Sequence, residues 1–211
     1  MEKDVSDANP PRRGGRPSQL QASQIRERIL DIATDLFLTQ GYGETSIEAI
    51  AKRAGISKRT FYHRFDDKAD LFGAVAHRLI MRLRPSHAAS LFTGGTLEEI
   101  LQRLAKVILR AALSTEALAL YRLIVSEATR FPELAIIMDT EGSRREAVGH
   151  IADLLETQAH SGNVSNVAEQ FLQMVVSVPQ RRALGLGTPM TVAQLDAWAH
   201  DAVHLFLHGC R

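Results

Sequence analysis

The chain has 211 residues, enough for one domain or two small ones with a sizeable core, and its formal charge of +1 announces no nucleic-acid partner by global basicity. A single cysteine, Cys210, excludes an intramolecular disulfide framework and fits a reducing compartment, so a cytoplasmic protein is expected. No apolar run approaches the ~18–20 residues of a membrane span. The N-terminus is too polar for a signal peptide, and no internal repeat is visible.

In chain order, residues 1–22 are expected to form a disordered basic arm. Asn9-Pro10-Pro11, Gly14-Gly15 and Pro17 interrupt regular structure, and little there is apolar. Arg12, Arg13 and Arg16 stand just ahead of the first helix, where a basic arm can reach into a DNA minor groove. The plainer alternative is a solvated tail. Charge is unevenly placed: from Arg12 to Lys68 eleven Lys or Arg stand against seven Asp or Glu, and the rest of the chain is acidic on balance.

Ser23 to Gln40 predicts a first helix with Ile25, Ile29, Ile32, Ala33, Leu36 and Phe37 on one face and Gly41 at its end. The stretch Thr45 to Phe65 then reads as two short helices around a tight turn. Thr45 and Glu48 have the spacing of a capping box. Ile47, Ile50, Ala51 and Ala54 repeat at helical spacing, so one face is buried. Gly55 supplies the turn, and Ser57 can cap the second helix. Phe61 and Phe65 point inward, leaving Lys58, Arg59, Thr60, Tyr62 and His63 outward or flanking.

A cap, a small crossing residue, a glycine turn and a short basic-aromatic helix are the parts of a DNA-reading helix-turn-helix. Lys and Arg supply phosphate attraction and guanine contacts; Thr and an aromatic ring can meet a thymine methyl or the backbone. Thr45, Ser46, Ser57, Lys58, Arg59, Thr60, Tyr62 and His63 are therefore the candidate DNA-binding residues. An ordinary helical pair with solvated charges is the competing interpretation.

These residues carry a resemblance to the TetR/AcrR family of bacterial transcription regulators. It runs from Arg26 to about Leu79 through Ile29-Leu30, Ile32-Ala33, Leu36-Phe37, Gly41-Tyr42, Thr45-Ser46, Ile50-Ala51, Ala54-Gly55-Ile56-Ser57, Thr60-Phe61-Tyr62-His63-Arg64-Phe65, Lys68 and Leu71. The resemblance implies a three-helix DNA-binding domain over 23–68. It gives Lys68 the role of a phosphate contact and implies a helical ligand-binding and dimerisation domain over 69–211.

Beyond Asp66-Asp67-Lys68-Ala69-Asp70, whose carboxylates suit a helix start, only helical patterns follow. The helix from Lys68 should end near Pro85. Thr96 and Glu99 form a capping box for a helix to about Leu113. Glu116 to Arg130, Pro132 to His160, Ser165 to Arg182 (with Pro179 ending or kinking it) and Thr191 to Leu207 complete an all-α chain of about nine helices. Leu120-Tyr121-Arg122-Leu123, Arg130-Phe131-Pro132-Glu133-Leu134 and Leu205-Phe206-Leu207-His208-Gly209 resemble, more loosely, regulators with an AefR-like C-terminal region.

Two tasks suit this second half. A symmetric dimer would space two recognition helices for operator half-sites, and the family resemblance places its contact on the last two long helices. Phe171, Met174, Val175, Val178, Leu195, Trp198, Ala202 and Leu205 are the candidates there. A pocket for a small apolar or amphipathic effector is the second task. Tyr121, Arg122, Met138, Phe171 and Met174 are candidate lining residues, unless they are plain core. The expected function is a homodimeric regulator, by family default a repressor released from a palindromic operator by its ligand. The alternative is a regulator of this kind that activates or answers no small ligand.

His200, His204 and His208 recur every four residues, a spacing able to chelate metal. No carboxylate or cysteine completes the set, so neither metal nor cofactor is expected. Nucleotide-binding loops, hydrolase elbows and zinc-protease motifs are absent from the sequence. An enzyme, or a helix-turn-helix used for protein docking, is the reading of a different class.

Overall fold

The computed structural model describes residues 19–83, 91, 93–141, 143–157 and 163–209, and among these every regular element is helical. The order is α1 Gln19–Gln40, α2 Ile47–Arg53, α3 Lys58–Tyr62, α4 Lys68–Leu83, α5 Leu97–Ala112, α6 Thr115–Glu127, α7 Pro132–Glu141, α8 Ser143–Glu156, α9 Val164–Ala183 and α10 Val192–His208. The all-α expectation holds. The stretch expected as one helix from Pro132 is two, Pro132–Glu141 and Ser143–Glu156. The first helix starts at Gln19, ahead of the expected Ser23. Arg12, Arg13, Arg16, Pro85 and Cys210 lie outside the described residues.

Caps set most of the other boundaries. Thr96 and Glu99 form the expected reciprocal box at the start of α5, and Thr191 and Gln194 form another at α10. The start of α2 differs from expectation. Ser46, not Thr45, is the N-cap, its hydroxyl accepting from the Ala49 N–H at 3.1 Å. Thr45 is buried and donates its hydroxyl to the Gly41 carbonyl at 2.8 Å. The chain has to turn inward there to close the α1–α2 loop.

Apolar side chains gather into two cores. The first joins α1, α2, α3 and α4 through Ile29, Phe37, Ile50, Phe61, Phe65, Leu71 and Phe72, and takes in Leu120 and Leu123 of α6 and Leu134 of α7. The second belongs to α5, α8, α9 and α10, with Leu101, Ile151, Leu155, Phe171, Val175, Ala199 and Val203 at its centre. A boundary at residue 68 does not divide these cores, because α4 packs as part of the first. Arg78 ties α4 to α1 as well: its guanidinium pairs with Asp31 at 2.8 Å and donates to the Thr34 hydroxyl at 3.0 Å.

Pro179 sits inside α9 and is buried. Having no N–H, it cannot satisfy the carbonyl of Val175 one turn earlier. The Trp198 indole of α10 fills that role, donating to the Val175 oxygen at 2.9 Å. The helix continues through the proline to Ala183. A vacancy in one helix's hydrogen bonding thus becomes a stitch between two helices.

Candidate nucleic-acid interface

The helix that would meet DNA is only five residues long, too short to stand alone, so its stability is tertiary. Phe61 and Phe65 are fully buried beneath it, their rings 5.7 Å apart. Ser57 caps it, accepting from the Thr60 N–H at 3.1 Å, and its hydroxyl also bonds the Thr60 hydroxyl at 2.9 Å. Gly55, at φ +65°, makes the turn from α2. The exit is held from α1, where Arg26 donates to the Arg64 carbonyl at 3.2 Å and lies 4.5 Å from the centroid of the Phe65 ring. Arg64 in turn donates to the Thr60 carbonyl.

With that back side fixed, Lys58, Arg59, Tyr62 and His63 are exposed, and Thr60 is half-buried beside them. Tyr62 is edge-on to Phe61 at 5.5 Å. Ser46 and Ser57 are also exposed at the N-termini of α2 and α3, where free backbone N–H groups favour an anion. This gathers most of the candidate set on one face. Lys58 is ion-paired there with Glu48 of α2, and that hydrogen bond holds the Glu48 carboxyl below its ordinary range.

Two expected DNA contacts are corrected. Thr45 is 1% exposed, and its side chain cannot reach a duplex. Lys68 is turned inward. Its ammonium donates to the carbonyls of Tyr42 at 2.9 Å and Thr45 at 3.0 Å, with that of Gly43 at 3.5 Å. It also faces the Tyr42 ring at 4.4 Å and the Phe131 ring at 5.6 Å. Desolvation lowers its pKa against the opposing pull of Glu127 and Glu133. With its hydrogens on carbonyls, Lys68 is a staple for the α1–α2 loop rather than a phosphate contact.

That staple belongs to a junction the sequence did not single out. The α6–α7 corner grips the same loop. Glu127 accepts from the Gly43 N–H at 3.3 Å, and Tyr42 points its hydroxyl at Glu133, 3.5 Å away. Phe131 stacks edge-on to Tyr42 at 5.0 Å. Burial, reinforced by Glu133, raises the Tyr42 pKa. A methyl group at Gly41, already at φ +90°, would come within 2.6 Å of the Glu127 carboxylate. The Arg130–Leu134 run was visible as a resemblance, but no periodicity could show that its charges meet a loop about ninety positions earlier.

The proposed effector residues are not brought together. Tyr121 is 43% exposed, and Arg122 donates to the Ala183 carbonyl at 3.3 Å. Met138 packs against the first core; Phe171 is buried in the second, its ring 4.8 Å from Phe206. A groove of about 840 Å³ lies elsewhere, between α1, α4 and α7, lined by Leu30, Asp70, Gly73, His77, Arg78 and Ile137 among others. Among the dimer candidates, Val175 and Ala202 are buried in their own subunit, and Trp198 is engaged by Val175. Met174, Val178 and Leu195 are half-buried, and Leu205 is 42% exposed.

The histidine stripe of α10 lies along α5. His200 bonds Gln102 at 3.0 Å, and His208 lies 3.8 Å from Glu98. Among the described residues no cluster of three or more His, Cys, Asp or Glu side chains is disposed to hold a metal. No described helix is long and apolar enough to cross a membrane.

Comparison with known proteins places this architecture. Residues 29–75 match the pattern of bacterial regulatory proteins of the tetR family, and residues 99–209 match the AefR-like transcriptional repressor C-terminal domain. The transcriptional regulator AcrR of Shigella flexneri is 42% identical over 60 residues, which is 28% of each protein. UidR of Escherichia coli K12 is 29% identical over 124 residues, 57% of this chain and 60% of that one. These alignments span less than two thirds of either relative. The solved structure of the flavonoid-responsive regulator FrrA is 28% identical, covering 90% of this chain and 98% of FrrA with a TM-score of 0.75.

Proposed function

Because this chain belongs to the TetR family of bacterial transcription regulators, and not to a family of enzymes, we propose that it is a homodimeric repressor that places α3 in the major groove of a palindromic operator. The observation that carries this is the division of α3. Phe61 is completely buried, and Lys58, Arg59, Tyr62 and His63 are all presented to solvent. Arg59 is assigned the base contact; Tyr62 and the capped starts of α2 and α3 are assigned the phosphates.

Release is assigned to a small apolar or amphipathic molecule bound in the C-terminal half. The α6–α7 corner supplies a route for it. It belongs to helices packed against α4, and it holds the loop from which α2 begins. A ligand favouring a displaced corner would move α2 and α3 together, and a coupling of ~1–3 kcal/mol changes operator affinity about 5–150-fold. FrrA is named for its flavonoid response, so flavonoids are the first ligand class to test. The dispersal of Tyr121, Arg122, Met138, Phe171 and Met174 favours a second reading, a regulator that answers no small ligand.

Selection of bound fragments from a random duplex pool tests the DNA reading. The expected product is a palindrome whose half-sites lie ~34–36 Å apart or a multiple of that spacing. Protein that is strictly monomeric and ignores every duplex at low salt would overturn it. A flavonoid panel scored by operator release then separates the two readings of regulation.

A further inference from the structure

The two cations at the start of α3 are not equivalent. The Lys58 ammonium donates to the Glu48 carboxylate of α2, whereas no hydrogen bond or ion pair engages the Arg59 guanidinium among the described residues. Lys58 and Glu48 are 55% and 60% exposed, so the pair stands in solvent on the face proposed for DNA. Glu48 occupies the first turn of α2, two positions beyond the Ser46 cap. A carboxylate is well placed there toward the helix dipole.

We infer that Glu48 is a specificity-determining residue: by holding the Lys58 ammonium it withholds one cation from sequence-independent phosphate binding and leaves Arg59 to read bases. The inference rests on the DNA-binding function proposed above. Binding to arbitrary duplex is almost wholly cation–phosphate neutralisation with counterion release, so a lysine free to meet the nearest phosphate strengthens it at every register. On the operator, base contacts fix the register, and a loosened Lys58 gains less. An exposed ion pair is weak. Glu48 therefore competes with phosphate rather than blocking it, and the effect is a moderate bias against non-cognate DNA.

The test uses the full chain as wild type, Glu48→Gln, Lys58→Gln and the double variant. Each is titrated by fluorescence anisotropy against the selected operator and a scrambled duplex, over about 50 to 200 mM salt. Glu48→Gln should bind the scrambled duplex about 3–10-fold more tightly, with a log–log salt slope steeper by ~0.9, and its operator-to-scrambled ratio should fall. Lys58→Gln should change scrambled binding little, and the double variant should match it. An unchanged slope and ratio in Glu48→Gln overturns the assignment. A gain that persists in the double variant also overturns it, because the carboxylate then repels phosphate directly and not through Lys58. Wild-type protein that binds neither duplex rejects the DNA-binding reading itself, and this assignment falls with it.

Discussion

The two hydrophobic cores use the same kinds of residue and differ in what surrounds them. Around the first core, short helices are pinned by individual polar bonds: Ser46 and Ser57 at caps, Arg26 at the exit of α3, and Lys68 on three carbonyls. Around the second, α9 and α10 are long, and much of their order comes from burial along apolar faces. A helix of five residues has almost no stability of its own, so each pin sets where its side chains point. A long amphipathic helix tolerates many sequences that keep the stripe. The consequence is that the head advertises its chemistry residue by residue, and the bundle advertises little beyond being a bundle.

The largest effect that sharpens this contrast is expected at Phe61, the completely buried anchor of α3. Phe61→Ala should cost ~3–5 kcal/mol by lost transfer and the cavity left behind. Denaturant unfolding and duplex binding should both report it, binding being lost entirely. Leu195→Ala, on a half-buried position of α10, should cost well under half as much. Equal losses at the two positions would erase the distinction between a pinned head and a tolerant bundle.

Lys68 comes next. Lys68→Met removes the donor shared by the α1–α2 loop carbonyls while keeping an aliphatic stem, and is expected to cost ~1–3 kcal/mol. Operator affinity should fall because α2 is no longer held, yet the salt slope should stay at the wild-type value. Loss of a phosphate contact would instead reduce that slope by ~0.9. Stability melts and salt titrations on the same variant thus separate a staple from a phosphate ligand.

The comparison also explains what was legible in the sequence. Helix positions were legible because apolar spacing and local caps are short-range signals. Thr96-x-x-Glu99 is such a signal, and it forms its box. The same signal misled at Thr45-x-x-Glu48: Ser46 is an equally good cap one position on, and tertiary packing turned Thr45 inward. Lys68 was placed by resemblance, which gives a position but not the direction in which a flexible four-carbon stem folds. The Glu127–Gly43 and Tyr42–Glu133 contacts join residues 84 and 91 positions apart and leave no periodic trace. In the bundle, Val175, Ala202 and Leu205 all sat on apolar stripes; only packing shows that the first two are covered by their own subunit and Leu205 is not.

The smallest expected effect lies at a polar pin of the bundle, between α9 and α10. Trp198→Phe keeps most of the ring volume but leaves the Val175 carbonyl without its donor, at an expected ~1–2 kcal/mol in thermal or denaturant unfolding. The cause is Pro179, which has no N–H to offer that oxygen. Pro179→Ala restores an N–H at the ordinary helical position. In that background Trp198→Phe should therefore cost less, giving a double-mutant coupling of about 0.5–1 kcal/mol. Simple additivity would mean that the indole acts through packing alone. The bundle would then hold no polar pin at this position, and its contrast with the head would be sharper still.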